Sequence, residues 1–256
     1  MGACYRGLRV LSAKLGVLVP RWEVIVPLTK SDVEKWLASV APGVGLTVLS
    51  KEAGFSRIRI IQQLTADRVR EETIIKVSRV LGLDPLEQLR SFHGYESFAP
   101  SRPDPREIGA YIQWEHLLRA CAALEFNERV TEASLGPLLV EGTSRQWIDS
   151  IDPDGGLRKH LQELGPISNP GLSNMLNGPL RLDLALLATQ YAKVPTISAF
   201  VIAHLLTPAE AGWSEHERAT WLQELDRTER LQLMETRIHT ALVREQRSQD
   251  FINHLG

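Results

Sequence analysis

Arg57, Ile58, Arg59, Ile61 and Gln62 place guanidinium, amide and branched apolar groups within six consecutive positions. On the first turns of a helix that set can read DNA. Arginine binds guanine O6 and N7 with two bonds, glutamine pairs with adenine, and isoleucine meets a thymine methyl. Ser56 stands immediately before them, where an N-cap hydroxyl satisfies orphan backbone N–H groups. Thr47, Thr65, Arg68 and Arg70 flank the set and are expected to hold phosphates, which position a protein without reading sequence. A second, weaker set lies 112 positions on: Ser168, Asn169, Gly171, Ser173, Asn174 and Asn177. It offers amides and hydroxyls but no basic group, so it reads DNA through those groups or keeps only the shape.

Catalytic chemistry is not indicated. The histidines at 93, 116, 160, 204, 216, 239 and 254 are scattered, with no HExxH, no CxxC and no phosphate-binding glycine loop. No enzyme activity, metal or cofactor is expected. Cys4 and Cys121 are far apart and in no metal-ligand spacing, which fits a reducing cytoplasm.

The elements that must carry these residues are helices, because no stretch sustains the alternation of a half-buried strand. Two segments read as the same helix-turn-helix unit: LSKEAGFSRIRIIQQL from Leu49 and HLQELGPISNPGLSNMLNG from His160. Each has a glycine, a turn closing on serine, and apolar residues four and eight positions later, Ile60 and Leu64 or Leu172 and Leu176. The likeness continues in the next helix, where Ile74, Val77 and Leu81 correspond to Leu184, Leu187 and Tyr191.

The expected fold is all-α. Residues 1–28 form an arm interrupted by Pro20 and Pro27, and residues 29–98 a five-helix DNA-binding domain. Its first helix opens at Thr29 or Ser31, with Ser31 and Glu34 as a capping box. Its others run Leu46–Ala53, Arg57–Leu64, Glu71–Leu81 and from Asp84-Pro85 onward. Three prolines mark 99–105 as a linker. A second helical domain, 106–208, opens with a helix from Arg106 to about Leu124 and contains the second unit. A helical segment, 209–256, closes the chain after a helix start at Thr207-Pro208-Ala209-Glu210. Its Leu231, Met234, Ile238, Ala241 and Glu245 make a short 3-4 seam, expected to pack back on its own domain, with self-association through 209–256 left open.

The net charge of −2 does not announce a nucleic-acid binder, but its distribution is uneven. Residues 1–28 carry +3 (four basic, one acidic) and 29–100 carry +1 (ten and nine). Residues 101–208 (nine and twelve) and 209–256 (six and nine) each carry −3. Phosphate contacts depend on the local face, so an acidic remainder is compatible with DNA binding. The apolar run Leu15–Val19, closed by Pro20, is too short for a signal peptide or a membrane span.

Residues 46–89, from LTVLSKEAGFSRIRIIQQL to VSRVLGLDPLEQL, resemble the Cro/repressor (XRE-type) helix-turn-helix family. From LTKSDVEKWLASVAPG through LLTPAEAGW the chain also resembles immunity repressors of actinobacterial temperate phages and prophages. The resemblance implies a sequence-specific transcriptional repressor of lysogeny whose partner is double-stranded operator DNA. The family often has a glutamine early in the second helix, where this chain has Leu46. Only Lys159 and Lys193 occur after residue 100, so no Ser/Lys self-cleavage domain is indicated. The competing expectation is a helical interaction or antitoxin-like module that keeps the shape without operator binding.

Overall fold

The computed structural model describes residues 27–136, 138, 144–152, 155–164 and 169–255. Among them the regular structure is helical, apart from one antiparallel bridge between Leu28 and Val69. The fold is all-α. No helix among the described residues is long and apolar enough to cross a membrane. Of the expected arm, only Pro27 and Leu28 fall within the described residues.

The first unit contains α1 (Lys30–Val40), α2 (Leu46–Glu52), α3 (Arg57–Thr65), α4 (Glu71–Val80) and α5 (Pro85–Arg90). The N-cap of α1 is Thr29, not Ser31. Its Oγ1 accepts from the Asp32 N–H at 3.2 Å. Glu34 is left to pair with Lys30 along the helix. Val33, Trp36 and Leu37 are the buried face of α1, each such side chain contributing about 1.5–3 kcal/mol. The turn after α2 is a Schellman motif. Gly54 sits at φ +81, Phe55 N–H donates to Ser50 O at 2.8 Å, and Gly54 N–H to Lys51 O at 3.1 Å. Phe55 is buried, which fixes the angle at which the chain enters α3.

The second unit contains α8 (Ser144–Ile151), α9 (Gly156–Leu164), α10 (Asn169–Met175), α11 (Leu182–Ala192) and α12 (Ser198–Ile202), following α6 (Pro105–Ile108) and α7 (Trp114–Glu125) in the chain. The repeat persists, but its register in the fourth helix is one residue later than the expected one. Arg70, the N-cap of α4, lies 14 positions after Ser56, whereas Arg181, the N-cap of α11, lies 13 after Ser168. Thr73, Ile74, Ile75, Val77 and Ser78 are the buried residues of α4; Leu184, Ala185, Leu186, Ala188 and Thr189 are their counterparts in α11. The ends agree in the same register. Leu83 N–H donates to Ser78 O at 2.9 Å across Gly82 at φ +68, and Val194 N–H to Thr189 O at 3.0 Å across Lys193 at φ +56. Tyr191 is therefore not the partner of Leu81. It is 43% exposed and lies against the His160 ring, while Ala192 takes the buried position.

Residues 99–105 are packed rather than loose. Pro103 is buried, and Ser101 N–H donates to Ala211 O at 3.1 Å. One continuous apolar core runs under both units, with Phe98 edge-on to Phe200 at 5.3 Å. Arg79 of α4 reaches across to the Glu210 carboxylate with two bonds (2.7 and 2.6 Å) and to Leu205 O at 2.7 Å. Burial pushes Glu210 up, but its bonds from Arg79 and Thr207 outweigh that and hold the carboxyl below its ordinary range.

The expected helix from Arg106 is broken. α6 gives way to a 3-10 turn at Gly109–Tyr111 before α7 begins. Thr207-Pro208-Ala209-Glu210 makes only a capped turn, ended by Gly212 at φ +86. A second apolar cluster joins α7 and the 3-10 turn Glu132–Leu135 to α13 (Glu217–Glu224) and α14 (Arg227–Leu255). The C-terminal segment thus packs against α7. The packed side of α14 is Leu233 and Met234, while Leu231 and Ile238 of the expected seam are exposed.

Candidate nucleic-acid interface

Ser56 caps α3 as expected, its Oγ accepting from the Arg59 N–H at 3.3 Å. A 3.6-residue period then sorts the side chains into two groups. Ile60 and Gln63 turn inward and are buried. Arg57, Ile58, Ile61, Gln62 and Thr65 turn outward and are exposed. Ile58 is 69% and Ile61 46% exposed, with Val44 and Val48 from the neighbouring turn and α2 also open to solvent. Thr47 is exposed at the start of α2. Arg68 and Arg70 are exposed on the segment leading into α4.

Arg59 departs from the expected role. Its Nη2 donates to the Glu72 carboxylate of α4 at 2.6 Å, and its guanidinium lies 5.1 Å from the centre of the Phe55 ring. Lys76 lies 5.1 Å from the same ring and 3.0 Å from Glu72. Two positions along a helix is a rotation of about 200°, so Arg59 cannot share the outward side of Arg57. It meets the acidic first turn of α4 instead and fastens α3 to α4. Arg57 makes no side-chain pairing among the described residues.

Gln63 was not among the expected site residues. Its Oε1 accepts from Arg70 N–H at 2.8 Å and from the Thr73 hydroxyl at 3.0 Å. It buttresses α3 from the helix's own last turn. Leu46 is here a core residue. The one sequence signal for Gln63 is an amide three positions after Ile60, on the apolar side.

In the second unit Ser168 lies outside the described residues. Asn169 opens α10, Gly171 is half-buried, Ser173 lies within α10, and Asn174 is exposed. Leu172 and Leu176 anchor the helix in the core. Asn177 is exposed, and its Oδ1 accepts from Arg145 Nη2 at 3.0 Å. Ser144 Oγ donates to Gly178 O at 2.7 Å, so the start of α8 and the end of α10 are tied together. A guanidinium therefore stands beside a helix that has no basic residue of its own. Nothing in the spacing around Ser168 points to residue 145.

Comparisons with protein-family models, with curated proteins and with solved structures find no match to this chain.

Proposed function

We propose that the chain is a sequence-specific double-stranded DNA-binding repressor that enters the major groove with α3. The observation that carries this reading is the outward side of α3. Ile58 and Ile61 are exposed between Arg57 and Gln62, on a helix locked from behind by Ile60, Gln63 and the Arg59–Glu72 pair. Large apolar groups beside a cation and an amide have little purpose on a solvent face, but they match the methyl, acceptor and donor groups of base edges. Thr47, Thr65, Arg68 and Arg70 are the phosphate-holding residues on either side. Ser56 contributes as the cap that aims the helix. Arg59 is a positioning residue in this reading.

The second unit supports the same activity through Asn174, Asn177 and Arg145, beside Asn169, Gly171, Ser173 and the sequence position of Ser168. Two unlike readers on one chain suit an asymmetric site, with no need for the palindrome that a symmetric dimer demands. The finer assignment, a phage or prophage immunity repressor acting in the cytoplasm, rests on the resemblance of residues 28–213.

Fluorescence anisotropy with DNA flanking the gene, at two salt concentrations, tests the proposal. A preferred site and a log affinity falling steeply with log salt are expected. Weak binding without a preferred site would instead support the interaction-module reading.

A further inference from the structure

The helix α14 is 29 residues long. One side of it faces the body. Arg230 meets the Glu125 carboxylate, Leu233 and Met234 join the second apolar cluster, and Arg237 donates to the Gly109 carbonyl. About a third of a turn away runs a different line of residues. At about 100° per residue, positions 231, 235, 238, 242, 245 and 249 fall within about 40° of one straight stripe. All six are exposed, among them the apolar Leu231, Ile238 and Leu242. A single exposed apolar side chain is ordinary. Three in line on a helix otherwise rich in charge form a seam, and packing such a face is where most of a helix's stability comes from.

The charges beside the seam say what covers it. Arg227 and Glu245 lie on one rim, near its two ends, and Glu235 and His239 lie on the other, near its middle. All four are exposed. Laid antiparallel on a copy of itself, about a two-fold axis beside residue 236, α14 brings each rim against the same rim of the copy. Arg227 then stands level with the copy's Glu245, Glu235 with its His239, and Leu231 with its Leu242, each pairing occurring twice. Arg227 already bonds to Glu125 at 2.8 Å, but its side chain stays mostly exposed and its fork has donors to spare. Glu235 and His239 make no side-chain pairing among the described residues. A parallel pair in register would instead set Glu235 against Glu235 and Glu245 against Glu245, which repel. Rim charges of this kind choose orientation, while exposed ion pairs add little affinity. The apolar seam supplies the affinity.

We propose that α14 is a self-association face, which pairs antiparallel with α14 of a second copy of this chain through Leu231, Ile238 and Leu242. The proposal is independent of the DNA reading, since neither α3 nor α10 takes part.

Sedimentation equilibrium of the full chain, from about 1 to 300 μM, tests it. A monomer–dimer equilibrium with a Kd of about 10–100 μM is expected, in keeping with a small interface. Leu242→Glu sets carboxylates against Leu231 of the copy. It is expected to weaken the dimer by about tenfold or more, with the far-ultraviolet spectrum unchanged because the position is exposed. Cysteine cross-linking reads the orientation. In a Cys4→Ser background, with Cys121 buried, mixed Leu231→Cys and Leu242→Cys chains are expected to join as the mixed disulfide under mild oxidation. Neither variant alone is expected to cross-link, because like positions lie about 16 Å apart along the pair. A chain that stays monomeric throughout the range, equal association by parent and Leu242→Glu, or like-with-like disulfides in preference to the mixed one would each overturn the proposal.

Discussion

Glu107 on α6 offers a quantitative test of how the two units are joined. The residue is fully buried. Its Oε1 accepts from Trp147 Nε1 of α8 at 2.9 Å. Its Oε2 accepts from Ser198 Oγ of α12 at 3.0 Å and from Asp104 N–H at 2.8 Å. Burial raises its pKa from 4.5 to about 7; the three hydrogen bonds oppose that rise, and the nearby Asp104 carboxylate adds to it. Between pH 4.5 and 7 the folded chain therefore holds a proton on Glu107 that the unfolded chain has released. Stability contributed by this group is present at low pH and is lost as pH rises through that window. The gap between 4.5 and about 7, at 1.36 kcal/mol for each pH unit, comes to about 3 kcal/mol.

Glu107→Gln keeps the shape and removes the titration. Urea unfolding of parent and variant from pH 4.5 to 8.5, compared as a difference, cancels every other titrating group. The variant is expected to gain on the parent by about 3 kcal/mol between the acid and alkaline ends. A difference that stays flat with pH, or that moves the other way, would refute a buried carboxyl at the joint.

Three further outcomes are expected. Arg57→Ala should weaken binding to the preferred site by about 1–3 kcal/mol and relax sequence preference. Arg59→Ala should cost about 1 kcal/mol of stability or less, its pair being partly exposed, and keep the preference; competition against base-substituted sites separates the two, and the reverse pattern would undo the assignment. Gln63→Ala strands the Arg70 N–H and the Thr73 hydroxyl and should cost about 2–4 kcal/mol in denaturant unfolding; a loss under half a kcal/mol would mean that α3 is held without it. Replacing Asn169 and Asn174 together with alanine should change the footprint on one side of the site, while an unchanged footprint and affinity would make the second unit structural.

The helices of the first unit were legible because their ends are written locally. Gly54 before Ser56, Asp84 before Pro85 and Gly82 after α4 each act within a turn of where they stand. Thr29 displaced Ser31 as the cap of α1 because Lys30 N–H also bonds to the Asp67 carboxylate, a contact 37 residues away. The register of α11 was misread because Leu184, Leu187 and Tyr191 are the large residues of a helix whose buried side is built largely from alanine. Ala185, Ala188 and Ala192 allow close approach, and apolar spacing alone does not mark them. Arg59 was misplaced because a run of suitable residue types was read as one outward surface, whereas rotation along the helix sends it to Glu72.

What the sequence determined by itself is the all-helical fold, the serine cap of α3 and the residue types that could meet a base. These follow from capping, glycine turns and apolar period, which act over about four residues. The tertiary structure decided which of those residues face outward and how the two units share one core. It also brought Arg145 to Asn177 and Arg79 to Glu210. Such pairings join residues tens to more than a hundred positions apart, and their existence depends on how whole helices pack. No local rule carries that information.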